Sequence, residues 1–198
     1  MDFMDKANPK TVKNKPEKIT LYTQRMILRP WRTADAQALY EYARDPRIGP
    51  MAGWPAHTSV ENSRQVIKEV FSAEETYAIV LKDGHSPIGS IDLTLSEKNG
   101  HKIGRNSGEL GYWIGVPFWG RGLIPEAVRE MLRHSFEDLA LTSVWCGYFE
   151  GNENSRRVQE KCGFVYHHTE PNEQCPLLNE TRKAHFCRIT KAQWLQNH

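Results

Sequence analysis

The residues best suited to chemistry lie in one run, Gly111-Tyr-Trp-Ile-Gly-Val-Pro-Phe-Trp-Gly-Arg-Gly-Leu-Ile-Pro-Glu126. Gly120 and Gly122 let the backbone turn tightly and let a ligand approach it, because a residue without Cβ adopts dihedrals that others avoid. Pro125 suits the first position of a helix, where a missing N–H costs nothing, and Glu126 suits the positive end of the helix dipole. A strand, a loop of unpaired N–H groups and a helix N-terminus together make an anion site, most often for phosphate. A surface strand-to-helix turn with no ligand uses the same ingredients, and the run alone does not decide between the two. The phosphate loop of nucleotide hydrolases needs Gly-Lys followed by Ser or Thr, a string the chain lacks. The dinucleotide fingerprint needs a glycine where Pro125 stands and an acid at the end of the next strand, whereas Asp138 falls in a predicted helix.

Other reactive side chains are scattered. His57, His134, His167 and His168 fall on separate elements apart from the adjacent pair, whose side chains are expected to alternate across a strand. Cys146, Cys162, Cys175 and Cys187 show neither close pairing nor metal-ligand spacing, so reduced thiols and no metal are expected. Glu109, Glu150, Glu170 and Glu173 are carboxylates that could serve as a base, each of which reads more readily as solvated surface charge.

The elements that must position these residues follow from periodicity. Ala127, Val128, Met131, Leu132, Phe136 and Leu139 fall on one face of a helix over residues 125 to 138, whose N-terminus points back at the glycine loop. Before it come a short strand at 25 to 31, a helix capped by Thr33 or Asp35, and an aromatic loop from Gly49 to His57. Ser59 then caps a second helix with Val60, Ile67, Val70 and Phe71 on its apolar face. Thr76 to Leu81 and Ile88 to Leu95 read as strands joined by a hairpin turn at Asp83-Gly84, and Asp92 faces away from Ile91 and Leu93. A turn at 98 to 107 leads to the strand from Gly108 to Ile114. Further strands are expected at 142 to 149, 165 to 169 and 184 to 190, with a short final helix holding Trp194.

Composition bounds the possibilities. With 198 residues, 39% hydrophobic and 25% charged, the chain reads as one globular domain over 19–198 preceded by a flexible basic tail over 1–18. That tail holds five Lys against Asp2, Asp5 and Glu17, which accounts for the whole net charge of +2 and leaves no basic body for nucleic acid. No apolar run approaches a membrane span, and the first residues lack the shape of a signal peptide, so a cytoplasmic protein is expected.

The wording Trp-Gly-Arg-Gly-Leu-Ile-Pro-Glu-Ala resembles the CoA-binding segment of the Gcn5-related N-acetyltransferase (GNAT) superfamily, close to its RimJ/RimL branch, which acetylates ribosomal-protein N-termini. The superfamily motif is Gln or Arg, two residues, Gly, one residue, then Gly or Ala; here Trp119, Gly122 and Ile124 take the three places. A second block, Asn152-Glu-Asn-Ser-Arg-Arg-Val-Gln-Glu-Lys-Cys-Gly-Phe164, is similar to the family's "N-x-x-S-x-x-V-x-E-K-x-G-F". Two such blocks in the right order are more specific than either alone. The resemblance implies an α/β (α+β) fold: a mixed, mostly antiparallel sheet flanked by helices, with a central parallel strand pair splayed to admit acetyl-CoA. It further implies that Gly120, Arg121, Gly122, Leu123 and Ile124 cradle the pyrophosphate with Trp119 beside them, that Trp113 and Ile114 meet the pantetheine arm, and that Trp54 and His57 line the acceptor side.

By the same resemblance Ser155 protonates or relays a proton to the CoA sulfur and Asn152 meets the pantetheine amides, although both residues also make good helix caps. Many relatives use a Tyr on the late helix for that proton, and Gln159 stands in its place here. Glu109 is the candidate base on the central strand, out of phase with Ile114 by one residue. The implied activity is direct acetyl transfer to a protein N-terminal α-amine or a small-molecule amine by a monomer or homodimer, the alternative being a non-catalytic CoA-responsive module. Chemistry favours the α-amine weakly: at pH 7, deprotonating a group of pKa ~8 costs about 1.4 kcal/mol and a lysine of pKa ~10.4 roughly 4.6 kcal/mol.

Overall fold

Residues 18–96 and 103–196 are described by the structure, a computed structural model. The expected basic tail falls outside them except for Lys18, whose Nζ donates to the carbonyl of Ala73 at 2.5 Å. Residues 98–102 of the expected turn at 98 to 107 lie outside them too. Among the described residues eight strands form one sheet: β1 (Leu21–Tyr22), β2 (Met26–Pro30), β3 (Thr76–Leu81), β4 (Pro87–Leu95), β5 (Ser107–Ile114), β6 (Ser143–Phe149), β7 (Val165–Cys175) and β8 (Glu180–Thr190). Their spatial order is β1-β2-β3-β4-β5-β6-β8-β7, and every neighbouring pair is antiparallel but one. The exception, β5 with β6, is parallel and is joined by the crossover helix α3 (Leu123–Arg133). The remaining helices are α1 (Ala36–Ala43), α2 (Val60–Glu69), α4 (Glu153–Lys161) and α5 (Lys191–Gln196). None among the described residues is long and apolar enough to cross a membrane.

Strand alternation sorts the core into two layers. Met26, Leu28, Ile79, Ile91, Leu110, Ile114 and Val144 point to one side, against Leu123, Ala127, Val128, Met131 and Phe136 of the crossover segment. Ala78 and Val80 point to the other, against Trp31, Leu39, Ala43 and Ile67 around α1 and α2. Burying each large aliphatic or aromatic side chain contributes about 1.5–3 kcal/mol, which fixes α3 firmly under the centre of the sheet.

Several elements differ from the periodicity reading. Helix α3 starts at Leu123, so Pro125 is its third residue, still inside the first turn where no intrahelical acceptor is needed. It widens at His134–Asp138 into a π turn. Val70 is 58% exposed, because α2 ends at Glu69 and the chain turns away before Val70 can join the apolar face. The last two strands run through the polar segment 170–183 as a long hairpin, β7 pairing with β8 from Val165 to Cys175. A register shift at Tyr166/His168 undoes the expected alternation of the adjacent histidines. Both His167 and His168 contact Trp145, with ring centroids 4.6 and 6.1 Å away, and their Nδ1 atoms are 2.9 Å apart.

The π turn seats His134, 1% exposed, between two carboxylates: Nε2 lies 2.9 Å from Glu75 Oε2 and Nδ1 lies 2.8 Å from Asp138 Oδ2. Burial opposes the imidazolium, but the hydrogen bonds to Glu75 and Asp138 outweigh it and raise the pKa above its ordinary 6.5. A raised folded pKa contributes stability that is complete below the unfolded value and is lost as pH rises through the folded one. Urea titrations are therefore expected to show the protein losing stability as pH climbs from 6.5, and His134→Gln is expected to abolish that slope.

Candidate active site

β5 and β6 pair only at Ser107–Ser143, Gly108–Val144 and Glu109–Trp145, and then part. Each continues along its other neighbour, β5 beside β4 as far as Ile114 and β6 beside β8 as far as Phe149. Bound on opposite sides to separate antiparallel partners, the two strands diverge with the twist of the sheet. A gap opens in the middle of the sheet, on the side towards which α3 points its N-terminus.

Backbone alternation decides what lines this gap. Gly115 N donates to Ile88 O on the β4 side, so Glu109, Gly111 and Trp113 also turn their backbone groups to β4, while Tyr112 and Ile114 turn theirs to the gap. Lys191 N donates to Thr142 O, and Glu150 N to Lys183 O, which leaves Gly147 and Phe149 facing the gap from β6. Three of the carbonyls there are already taken. Trp119 Nε1 donates to Ile114 O at 2.9 Å, Gln159 Nε2 to Gly147 O at 3.2 Å and Asn152 N to Phe149 O at 3.0 Å. The opening is thereby weighted towards N–H donors, which suits a carbonyl oxygen or another electron-rich group.

The loop at the gap's mouth has the same bias. Among the described residues the N–H groups of Gly120, Arg121 and Gly122 meet no protein acceptor, and those of Leu123 and Ile124 begin α3, where a helix supplies none. Gly122 holds φ 71°, a left-handed conformation that a side chain would strain. The carbonyls of this loop face the other way. Arg25, 44% exposed in its side chain, donates to Arg121 O at 3.0 Å and Gly122 O at 3.1 Å, and its Nε reaches Glu126 at 2.6 Å. Glu126 also accepts from Thr23 Oγ1 at 2.6 Å and from Arg25 N at 2.8 Å. Arg25 thus acts as a brace, anchoring the loop to the turn between β1 and β2 with its N–H groups left outward. Arg121 lies over Phe118, its guanidinium carbon 5.6 Å from the ring centroid, and Ile124 is buried beneath the loop.

On the α3 side of the gap, α4 brings Ser155 to Tyr112. Tyr112 Oη lies 3.0 Å from Ser155 Oγ, and Gln159 Nε2 donates to the same Oγ at 3.3 Å. Burial, reinforced by neighbouring Cys146, pushes the Tyr112 phenol well above its ordinary value despite opposing hydrogen bonds to Ser155 and Gln159, so it keeps its proton. Periodicity had not marked Tyr112. It is on the same face as Leu110 and Ile114, two residues before the end of β5, and supplies a phenol from the strand where Gln159 of the helix cannot. Asn152 caps α4: its Oδ1 accepts from Ser155 N at 3.1 Å, and its Nδ2 donates to Met51 O at 3.4 Å. Both ends of that amide are therefore engaged.

The opposite side of the sheet carries Trp54, His57, Trp113 and Glu109. Trp113 packs edge-on to Trp54 with centroids 5.8 Å apart, and Trp54 lies 5.4 Å from His57. Trp54 also presses on Gly49, where a Cβ would come within 2.5 Å of its ring, so it fastens its own loop as well as lining the surface. His57 Nδ1 is 2.8 Å from Ser63 Oγ, and burial lowers its pKa, keeping the ring neutral at pH 7. Glu109 lies on this side, opposite in phase to Ile114, with no bulge in the β4–β5 register. Glu150 is instead paired with Lys183 at 2.6 Å, away from the gap. All four cysteines are buried free thiols, and no group of three metal-ligating side chains occurs among the described residues.

A sheet opened at its parallel pair, with a donor-rich loop at a helix N-terminus, defines the site, and comparison with known proteins gives it its place. The chain belongs to the acetyltransferase (GNAT) domain family, whose model matches residues 25–165, and is an N-acetyltransferase of that family. It is 29% identical over 130 residues to "Uncharacterized N-acetyltransferase p20" of Bacillus licheniformis, covering 63% of this chain and 70% of that one. It is 39% identical over 77 residues to "Putative ribosomal N-acetyltransferase YdaF" of Bacillus subtilis, covering 39% of this chain and 42% of that one. Its fold matches Mycobacterium smegmatis RimJ in complex with CoA-disulfide, with a TM-score of 0.71, 19% identity and 89% of each chain covered. The mixed sheet with one parallel pair and the RimJ/RimL likeness expected from the two sequence blocks are both borne out.

Proposed function

We propose that the chain transfers the acetyl group of acetyl-CoA directly to a primary amine, with a protein N-terminal α-amine of the ribosomal-protein type as the first candidate acceptor and a small-molecule amine as the second. The observation that carries this reading is the parting of β5 and β6 beyond Glu109–Trp145, directly beside a loop whose N–H groups from Gly120 to Gly122 meet no acceptor among the described residues. The loop fits a diphosphate: the N–H groups from Gly120 to Ile124 are the donors, and α3 adds its dipole. One relative supports the acceptor class and one fold neighbour supports the use of CoA. The relative is named as a putative ribosomal N-acetyltransferase, and the fold neighbour, RimJ, was solved with CoA-disulfide.

Acetyl-CoA supplies an activated acyl thioester; the residues of this chain orient it and move protons. The gap-facing N–H of Ile114 is placed to polarise a carbonyl oxygen. Ser155, accepting from Gln159 and touching the Tyr112 phenol, is placed to give a proton to a leaving thiolate. Trp54, Trp113 and His57 form an apolar, uncharged approach for the amine from the other side of the sheet. With Tyr112 supplying the phenol that α4 lacks, catalysis is favoured over a purely CoA-responsive module.

Thiol release from acetyl-CoA, followed with a panel of N-terminal peptides and small amines, tests the reading. Acetylation of peptide α-amines supports it. Release with small amines alone moves the acceptor to the second class, and CoA binding without release to any amine overturns transfer.

A further inference from the structure

Asp92 is a half-buried carboxylate that the scheme above leaves unused. It stands on β4 directly opposite Gly111 of β5, on the acceptor side of the sheet with Glu109 and Trp113. A Cβ on Gly111 would lie 2.9 Å from Asp92 Oδ1 and 3.2 Å from Oδ2, so the carboxylate occupies space that only glycine leaves open. Gly111 is two residues beyond Glu109, the last β5 residue paired with β6, which sets the carboxylate beside the point where the strands begin to part. Among the described residues it makes no hydrogen bond and no ion pair. A half-buried carboxylate with no protein donor, set beside the point where two strands part, invites a functional reason.

We propose that Asp92 is the proton acceptor for the incoming amine, receiving the proton on the acceptor side while Ser155 serves the sulfur on the other. This rests on the acyl-transfer reading above. An ammonium RNH3+ gives one proton to the Asp92 carboxylate, and the freed lone pair forms the C–N bond at the thioester carbonyl. The C–S bond breaks and the electron pair leaves on sulfur, which is protonated through Ser155. The nitrogen loses its second proton as the amide forms, so acetyl-CoA and RNH3+ give the amide, CoA thiol and one proton to solvent.

The surroundings tune the group for this work. Burial first, then the Glu109 carboxylate, push Asp92 up to about 6. A base of that pKa is ionised at pH 7 yet strong enough to take a proton. Thr76 opposite on β3 and Gly111 opposite on β5 are neutral, and α1, packed over β4, buries Ala36, Leu39 and Ala43. Among the described residues Glu109 is therefore the charged neighbour that matters, acting on Asp92 from a diagonal position.

The test compares kcat–pH profiles of wild type, Asp92→Asn and Glu109→Gln with acetyl-CoA and the best amine of the panel, with CoA affinity measured by calorimetry. Asp92→Asn is expected to lose about 10²–10³ in kcat at pH 7 with CoA affinity unchanged, and to lose the acid limb near pH 6. Glu109→Gln is expected to keep that limb and move it to lower pH, because removing a negative neighbour lowers the Asp92 pKa. Asp92→Asn with wild-type kcat, with an intact limb, or with CoA affinity falling in step with rate would overturn the assignment. So would loss of the limb in Glu109→Gln alone. Peptides that stay inert while a small amine reacts overturn the acceptor reading and leave the Asp92 test in force with that amine; a wild type inert toward every amine overturns both.

Discussion

Ser155→Ala is expected to lower kcat about 100-fold while leaving the KM for acetyl-CoA within about threefold. The hydroxyl accepts from Gln159 Nε2 and touches the Tyr112 phenol, so its own proton is polarised by two partners and is available to the gap. Helix capping does not explain a loss of that size, because the cap of α4 is Asn152, whose Oδ1 accepts from the Ser155 backbone N–H, and alanine retains that N–H. The control follows directly: Asn152→Ala should cost about 1 kcal/mol of stability, read as a lower Tm, whereas Ser155→Ala should leave Tm unchanged. Equal kcat in Ser155→Ala and wild type would remove the residue from the proton path.

The second large effect concerns the loop. Gly122→Val is expected to raise the KM for acetyl-CoA about 10–100-fold with kcat changed only a few-fold. A β-branched residue at φ 71° costs about 1–3 kcal/mol, and the backbone relieves that strain by rotating the peptide groups that offer their N–H to the diphosphate. About 1.4 kcal/mol corresponds to each tenfold in affinity, so the strain and the binding loss are of the same order. Arg25→Ala should act in the same direction but by less, since it removes the brace on the Arg121 and Gly122 carbonyls without forcing a new conformation. Calorimetric titration with CoA checks both; unchanged affinity in Gly122→Val would show that the loop does not hold the phosphates.

Much of the fold was legible because the signals were local. The Asp83-Gly84 hairpin turn, the Ser59 cap and the apolar face of the crossover helix each depend on a few neighbouring residues, and each sits where periodicity placed it. The glycine loop was legible for the same reason. The side chains that complete the site were not, because they depend on register and on distant elements. Asp92 becomes notable only once Gly111 is known to lie opposite it, and Tyr112 only once α4 is folded back over β5. Arg25 reaches the loop from nearly a hundred residues earlier in the chain, a contact no spacing rule could reveal. The long terminal hairpin was missed because segment 170–183 is polar on both faces, so it shows no apolar alternation and is held by backbone pairing to β8.

The two outermost strands carry a consequence for how the molecule meets other chains. At one border stands β1, only two residues long, and at the other β7, whose pairing to β8 is interrupted at Tyr166/His168 and again at Glu170/Glu173. Short or kinked borders offer no continuous row of amides for strand addition. Among the described residues, strand addition is thus disfavoured at both borders, and under the proposed reading a peptide acceptor is expected across the broad side of the sheet instead of along its rim.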